Sequence, residues 1–388
     1  MQTNNHLWKI LVIALPVVWL AVFVIFLYPN WPIKAQATEK ILGMFVKSVS
    51  STPVVVPVVI PPRVKSEVKI AKGIYLTASS ANNPKKMDEM IDLIDKTELN
   101  AVVIDIKDYT GYVLYDSQIS IIKELKTKRV VLKNIPELIT KLHEKNIYVI
   151  ARQTIFQDPI LAEKKSAWAI KNKQGGIWHD NKGLSWVDSA RNEVWQYNTD
   201  IAKEVIELGF DEVNFDYVRF PTDGNMASAV IPGTAERNNV MANFFTFLSE
   251  QLKDEPAYIS VDFFGLVMEN HTGMSIGQKI DTASDSVDYI SPMMYPSHYA
   301  VGHLGLSNPA ASPGVVIDNG MKIGSPLFVG KRAQVRPWLQ AFNIGAVYGA
   351  QNIRAQIDMV EKYPNAGWLL WNAANRYTTA GLKLEPKT

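Results

Sequence analysis

The 388-residue chain has no cysteine. That excludes disulfides, thiolate metal sites and a cysteine nucleophile. It also has little net charge, +2 at neutral pH, and no Lys/Arg-rich block interleaved with aromatics, so a nucleic-acid partner is not expected. No GxxxxGK[ST] phosphate loop and no GxSxG elbow occurs, which argues against nucleotide and serine-esterase chemistry. Six histidines (His6, His143, His179, His271, His298, His303) include no HxH, HxxxH or HExxH spacing. The remaining metal option is convergence of His271, His298 and His303 in loops. Neither metal nor cofactor is expected.

The first residues carry the longest uncharged run. Residues 10–28 hold 19 positions without a charge, and the next charge is Lys34. About 20 apolar residues at 1.5 Å each span a hydrocarbon core of roughly 30 Å. Trp8 lies at one edge and Tyr28 and Trp31 at the other, as interfacial aromatics do. The run reads as a transmembrane signal anchor with residues 1–9 inside. The rival is a cleaved signal peptide ending at Ala35-Gln36-Ala37, although its apolar region would exceed the usual 7–15 residues. Either way the remainder is exported, and the expected location is the cell membrane, single-pass, with the main domain outside. Residues 29–71 are rich in Pro, Val and Ser. Four prolines within 53–62 interrupt any strand ladder, so the stretch reads as an extended spacer.

From Lys72 to about Ala380, short apolar runs alternate with longer helical patterns, the signature of βαβ units. Strands are expected at 73–78, 101–107, 148–153, 212–219, 258–264, 289–295, 334–340 and 368–372. Between them, Asn83-Pro84 opens a helix continued by Met87, Met90, Ile91 and Ile94, and Ile135, Leu138, Ile139 and Leu142 mark another. Eight strands with intervening helices predict one (β/α)8 TIM barrel over 72–380, with a tail at 381–388. Residues 297–330, rich in Gly, Pro and Ser, are the least legible.

In such a barrel, reactive groups stand at the C-terminal ends of strands and face the lumen. Period-two alternation puts Val213, Phe215 and Tyr217 on one face of the fourth strand and Asn214 and Asp216 on the other. In the fifth, Ile259, Val261 and Phe263 face out while Ser260 and Asp262 face in. Asp216 and Asp262 thus come from adjacent strands about 4.8 Å apart. They supply the acid and the nucleophile or base of glycoside hydrolysis. A structural alternative is pairing with a lumen cation, for which Lys107, Arg152, Arg219 and Arg336 are available. Asp105 and Lys107, on one face of the second strand, read as a charge-compensating pair beside the site. Tyr217, Trp178, Trp186, Tyr295, Tyr299, Trp371 and Tyr377 fall near strand ends or in the third loop, where flat rings can stack on sugars. Trp338 and Trp368 read as packing between helix and strand. Gln340 and Asn372 end the seventh and eighth strands, placed to bond sugar hydroxyls. Candidate substrate contacts are therefore Asp105, Lys107, Arg152, Asn214, Tyr217, Arg219, Tyr295, His298, Tyr299, Gln340, Trp371 and Asn372.

Four phrases carry a family resemblance: Val-Asn-Phe-Asp-Tyr-Val-Arg-Phe-Pro-Thr-Asp-Gly at 213–224, Ser-Pro-Met-Met-Tyr-Pro-Ser-His-Tyr at 291–299, Arg-Pro-Trp-Leu-Gln at 336–340 and Trp-Asn-Ala at 371–373. They resemble the bacterial putative glycoside hydrolase domain, a family distantly similar to α-amylase-type barrels. The resemblance runs from Lys72 to Tyr377. It implies a cell-envelope location and a polysaccharide or oligosaccharide substrate. It gives Asp216 the place of the strand-four nucleophile and Asp262 that of the strand-five acid, which is Glu in the amylase-type enzymes. Gln340 stands where those enzymes carry a third acidic residue. The alternative to a hydrolase is a non-catalytic glycan-binding barrel.

Overall fold

A computed structural model of the chain describes residues 70–385. The anchor expected over 10–28 and nearly all of the spacer lie outside the described residues. Among the described residues no helix is long and apolar enough to cross a membrane.

Eight parallel strands form a closed ring. They are β1 (Ala71–Leu76), β2 (Ala101–Lys107), β3 (Tyr148–Thr154), β4 (Glu212–Asp216), β5 (Tyr258–Phe264), β6 (Tyr289–Met294), β7 (Gln334–Val335 and Trp338–Gln340) and β8 (Gly367–Trp371). Each pairs with its sequence neighbours, and β1 pairs with both β2 and β8, which leaves no barrel edge. The first strand starts at Ala71, one residue inside the stretch read as spacer. The seventh is split at Arg336-Pro337, because proline has no N–H to give to a ladder.

Outside the ring stand α1 (Pro84–Lys96), α2 (Ile135–His143), α3 (Asn192–Glu207), α4 (Thr234–Leu252), α5 (Pro313–Gly324) and α6 (Ala350–Glu361), with one turn, Ile280–Ala283, between β5 and β6. The start of α1 follows its sequence signal. Asn83 accepts a bond from the Lys86 N–H, and Pro84 takes the position whose N–H would be unbonded anyway. The segment 297–330, the least legible in sequence, contains α5 and several single turns.

Strand alternation divides the core in two. Val213, Phe215, Val261 and Phe263 belong to the shell between strands and helices. Tyr75, Val103, Tyr148, Ile150, Tyr258, Tyr289, Tyr295, Trp338 and Leu369 form a separate cluster inside the barrel. Each large apolar side chain fully buried in the shell contributes about 1.5–3 kcal/mol. The lumen, by contrast, admits charges.

Candidate active site

The inward residues of β4 and β5 form successive polar levels. At the bottom, Glu212 is ion-paired with Arg336 and accepts bonds from Tyr148 Oη at 3.0 Å and Ser260 Oγ at 2.5 Å. Arg336 also lies over the Tyr289 ring, 4.2 Å from its centre. Both charges are fully buried, so the pair is a floor and has no access to a ligand. One level up, Asn214 Nδ2 donates to Ser260 Oγ at 3.0 Å and to Asp262 Oδ1 at 2.9 Å.

The top level is organised by one cation. Arg152, from β3, donates to Asp105 Oδ1 at 2.6 Å through Nη1 and to Asp216 Oδ2 through Nη2. Its Nε lies 3.9 Å from Asp262 Oδ2 and has no hydrogen-bond acceptor. Its guanidinium rests 5.0 Å from the Trp371 ring and 5.6 Å from Tyr75. Those two rings stack at 3.8 Å, and Tyr75 Oη donates to the other oxygen of Asp105. Asp216 Oδ1 accepts from the Tyr217 N–H at 2.6 Å.

Asp262 is held differently. Its Oδ1 accepts from Asn214 and from Trp338 Nε1 at 2.8 Å, whereas Oδ2 has only the more distant Arg152 Nε beside it. Burial, and then the neighbouring Asp216 charge, push its carboxyl up to about 8, against the pull of Arg152. Of the two carboxyls, Asp262 is therefore the one whose surroundings favour the protonated form.

Asp216 and Asp262 line a cavity of about 420 Å³ with Arg152, Tyr217, Arg219, Phe264, Gly265, Met293, Tyr295, His298, Tyr299, Trp338 and Trp371. Gly265 is required there: a Cβ would stand 2.6 Å from the Met293 carbonyl and 2.9 Å from Tyr299 Oη. Burial lowers the His298 pKa, and the ring meets Tyr295 edge-on at 5.3 Å. A second hollow of about 400 Å³, lined by Tyr75, Asp105, Asp108, Arg129 and Lys182 among others, shares Arg152, Tyr217 and Trp371 with the first. The mouth thus has two lobes that meet at those three residues. Tyr217 reaches both because β4 ends at Asp216 and Tyr217 takes a left-handed φ of 55°, leaving the outward face that alternation assigned to it.

Several expectations need correction. Asp105 and Lys107 do not pair. A register shift opposite Arg152 and Gln153 breaks the alternation between them, and Lys107 turns to Asp158 at 2.7 Å and the Thr154 carbonyl at 2.6 Å, fully buried. Trp338 faces the lumen, not the shell, while Trp368 packs in the shell as read. Asn214 is buried beneath the site and touches it through Asp262. Gln340 accepts from the Ser297 N–H and donates to the Phe342 carbonyl, and Asn372 holds the Ala341 and Arg376 carbonyls; neither lines either of these two hollows. Trp178 and Trp186 are buried behind the mouth, and Tyr377 Oη braces the Tyr75 carbonyl. The histidines are engaged apart: His303 lies 3.4 Å from Glu269 and His271 beside the Met268 carbonyl. Among the described residues no three His, Asp or Glu side chains gather as a metal site. Sequence reading missed Tyr75 and Gly265. Tyr75 was accessible to it, since alternation along β1 places it inward with Gly73.

A closed (β/α)8 barrel with two carboxylates at its C-terminal mouth is an arrangement that glycoside hydrolases use. Residues 73–377 match the family described as "Putative glycosyl hydrolase domain", and the chain belongs to that family. Among solved structures, it is 37% identical to a hypothetical protein from Ruminiclostridium thermocellum ATCC 27405, over 49% of this chain and 96% of that one, with a TM-score of 0.45. The glycoside hydrolase domain of PgaB (BpsB) from Bordetella bronchiseptica is 11% identical with a TM-score of 0.57, over 81% of this chain and 95% of that one. An α-galactosidase from Thermus thermophilus is 12% identical with a TM-score of 0.51, over 81% and 60%. These last two likenesses concern the fold. No curated protein matches the chain.

Proposed function

We propose that this chain is a membrane-anchored glycosidase that cuts an envelope or extracellular polysaccharide by two-carboxylate catalysis. Asp262 is the acid and Asp216 the nucleophile or base. The observation that carries this reading is the unlike surroundings of two neighbouring carboxylates in one cavity: Asp216 is ion-paired to Arg152, while Asp262 is held by Asn214 and Trp338 in a setting that favours its protonated form. Because Oδ1 of Asp262 accepts two bonds, the proton resides on Oδ2, free to pass to a glycosidic oxygen. Asp105 and Tyr75 fix Arg152, and Trp371 offers a ring for a sugar to stack on. The purified full-length chain should release new reducing ends from at least one of peptidoglycan, capsule, α-glucan or β-glucan, and Asp216→Asn should abolish that release. Activity surviving Asp216→Asn would remove Asp216 from the mechanism.

One observation favours a second reading, a glycan-binding barrel without turnover. Gln340 occupies the strand-seven position of the third acid and is spent on backbone groups. Binding to wall material unchanged in an Asp216→Asn/Asp262→Asn double variant, with no turnover in any assay, would select it.

The location rests on the uncharged run at 10–28 and the proline-rich stretch after it. The mature chain should retain residues before Ile10, and protease added to spheroplasts should degrade the barrel. A mature chain starting at Thr38 would establish cleavage after Ala37.

A further inference from the structure

Among the described residues four cationic side chains are buried: Lys107, Arg152, Arg219 and Arg336. Three have a carboxylate within ion-pair distance: Asp158 for Lys107, Asp105 and Asp216 for Arg152, and Glu212 for Arg336. Arg219 has none, although it is 8% exposed and lines the same cavity as Asp216 and Asp262. A guanidinium has five N–H groups. One nitrogen, Nη1, donates to the Phe220 carbonyl at 3.0 Å, and the other N–H groups find no acceptor among the described residues. What surrounds Arg219 instead is aromatic: Trp186 at 4.9 Å, Tyr217 at 5.3 Å and Phe264 at 4.8 Å from ring centre to guanidinium carbon. Trp186 is itself fixed by its Nε1 bond to Asp180 Oδ2 at 3.1 Å.

Three rings hold the cation in place and offset part of its desolvation, but they supply no counter-charge. Asp216, Asp223 and Asp180 act on Arg219 only from beyond ion-pair distance, so its guanidinium stands at the cavity wall with room for an anion in direct contact. The nearest cavity carboxylate, Asp216, is itself held by Arg152, so it does not occupy Arg219.

We propose that Arg219, in its cage of Trp186, Tyr217 and Phe264, is a subsite for an anionic substituent of the glycan, a carboxylate or a phosphate ester. The proposal rests on the glycosidase reading only in making the ligand a sugar. The polymer cut would then be an acidic one.

The test is binding to the purified full-length chain, read from the fluorescence of tryptophan, since Trp186 lies against the site. The probes are glucuronate and galacturonate against glucose and galactose, and glucose 6-phosphate against glucose. At low salt an acid probe should bind at least about tenfold more tightly than its neutral counterpart, as a charge-assisted bond requires. A preference for the uronates or for the phosphate ester identifies which anion the cage takes. Arg219→Gln should remove the preference, and Arg219→Lys, which keeps the charge, should retain part of it. Equal affinity for acid and neutral sugars in the wild-type chain would overturn the subsite without any need for a variant. Hydrolysis assayed beside binding, both in the wild-type chain, separates the two claims. An anion preference with no hydrolysis of any polymer would keep the subsite and remove the glycosidase, while hydrolysis of neutral polymers without a preference would do the reverse.

Discussion

Trp338 Nε1 stands 2.8 Å from Asp262 Oδ1, and this bond, with that from Asn214, determines which oxygen of Asp262 is left to hold a proton. Trp338→Phe keeps the ring and deletes the donor. Less stabilisation of the carboxylate should raise the pKa of Asp262 further and weaken it as an acid. We expect kcat to fall by about tenfold, the value of one hydrogen bond to a charged group, with KM little changed. Steady-state kinetics across pH would show it, and an unchanged alkaline limb would disprove it.

The raised Asp262 carboxyl predicts an alkaline limit. Glycosidase activity should decline through about pH 8 as the acid loses its proton. Stability should follow the same sign. The folded chain binds this proton more tightly than the unfolded one, so the group's contribution is complete below pH about 4 and is lost as pH rises towards 8. Denaturant unfolding of Asp262→Asn should therefore gain on wild type between pH 5 and pH 8. A constant difference would mean that Asp262 is not the titrating group.

Lys107 belongs to the framework and not to the site. Lys107→Met leaves Asp158 buried without its cation, and Asp158 also caps a helical turn by accepting from the Leu161 N–H. Loss of about 3–5 kcal/mol is expected. A lowered thermal midpoint, with KM unchanged in the protein that remains folded, would separate this from a role in binding.

Trp371 lines both lobes and stacks on Tyr75. Trp371→Ala removes a stacking surface worth about 1–2 kcal/mol, and KM should rise roughly tenfold. A fall in kcat alone would place the ring's role in Arg152 instead.

All eight barrel strands were legible because a parallel sheet buried on both sides reads as apolar runs. Asp216 and Asp262 were legible because alternation in β4 and β5 holds up to the strand ends. What alternation cannot foresee is a local break in it. The register shift beyond Asp105 turned Lys107 away, and the left-handed Tyr217 ended β4 sooner than its composition suggests. Trp338 and Trp368 have the same chemistry and differ only in which face of a strand they occupy. For Trp338 the break at Pro337 resets the count. The partner of Arg152 was equally hidden, since one cation stood within reach of three carboxylates.

That sharing has a consequence for a catalytic cycle. Asp262 holds its proton partly because Asp216 is negative beside it. Any event that cancels the charge on Asp216, such as its capture by a sugar carbon, removes that repulsion while Arg152 remains. The affinity of Asp262 for its proton then drops at the moment when the proton has to leave. After the sugar departs, the charge returns and the proton is drawn back. On the proposed mechanism the two aspartates would form a reciprocating pair, with the occupancy of one setting the basicity of the other and Arg152 as the fixed counterweight.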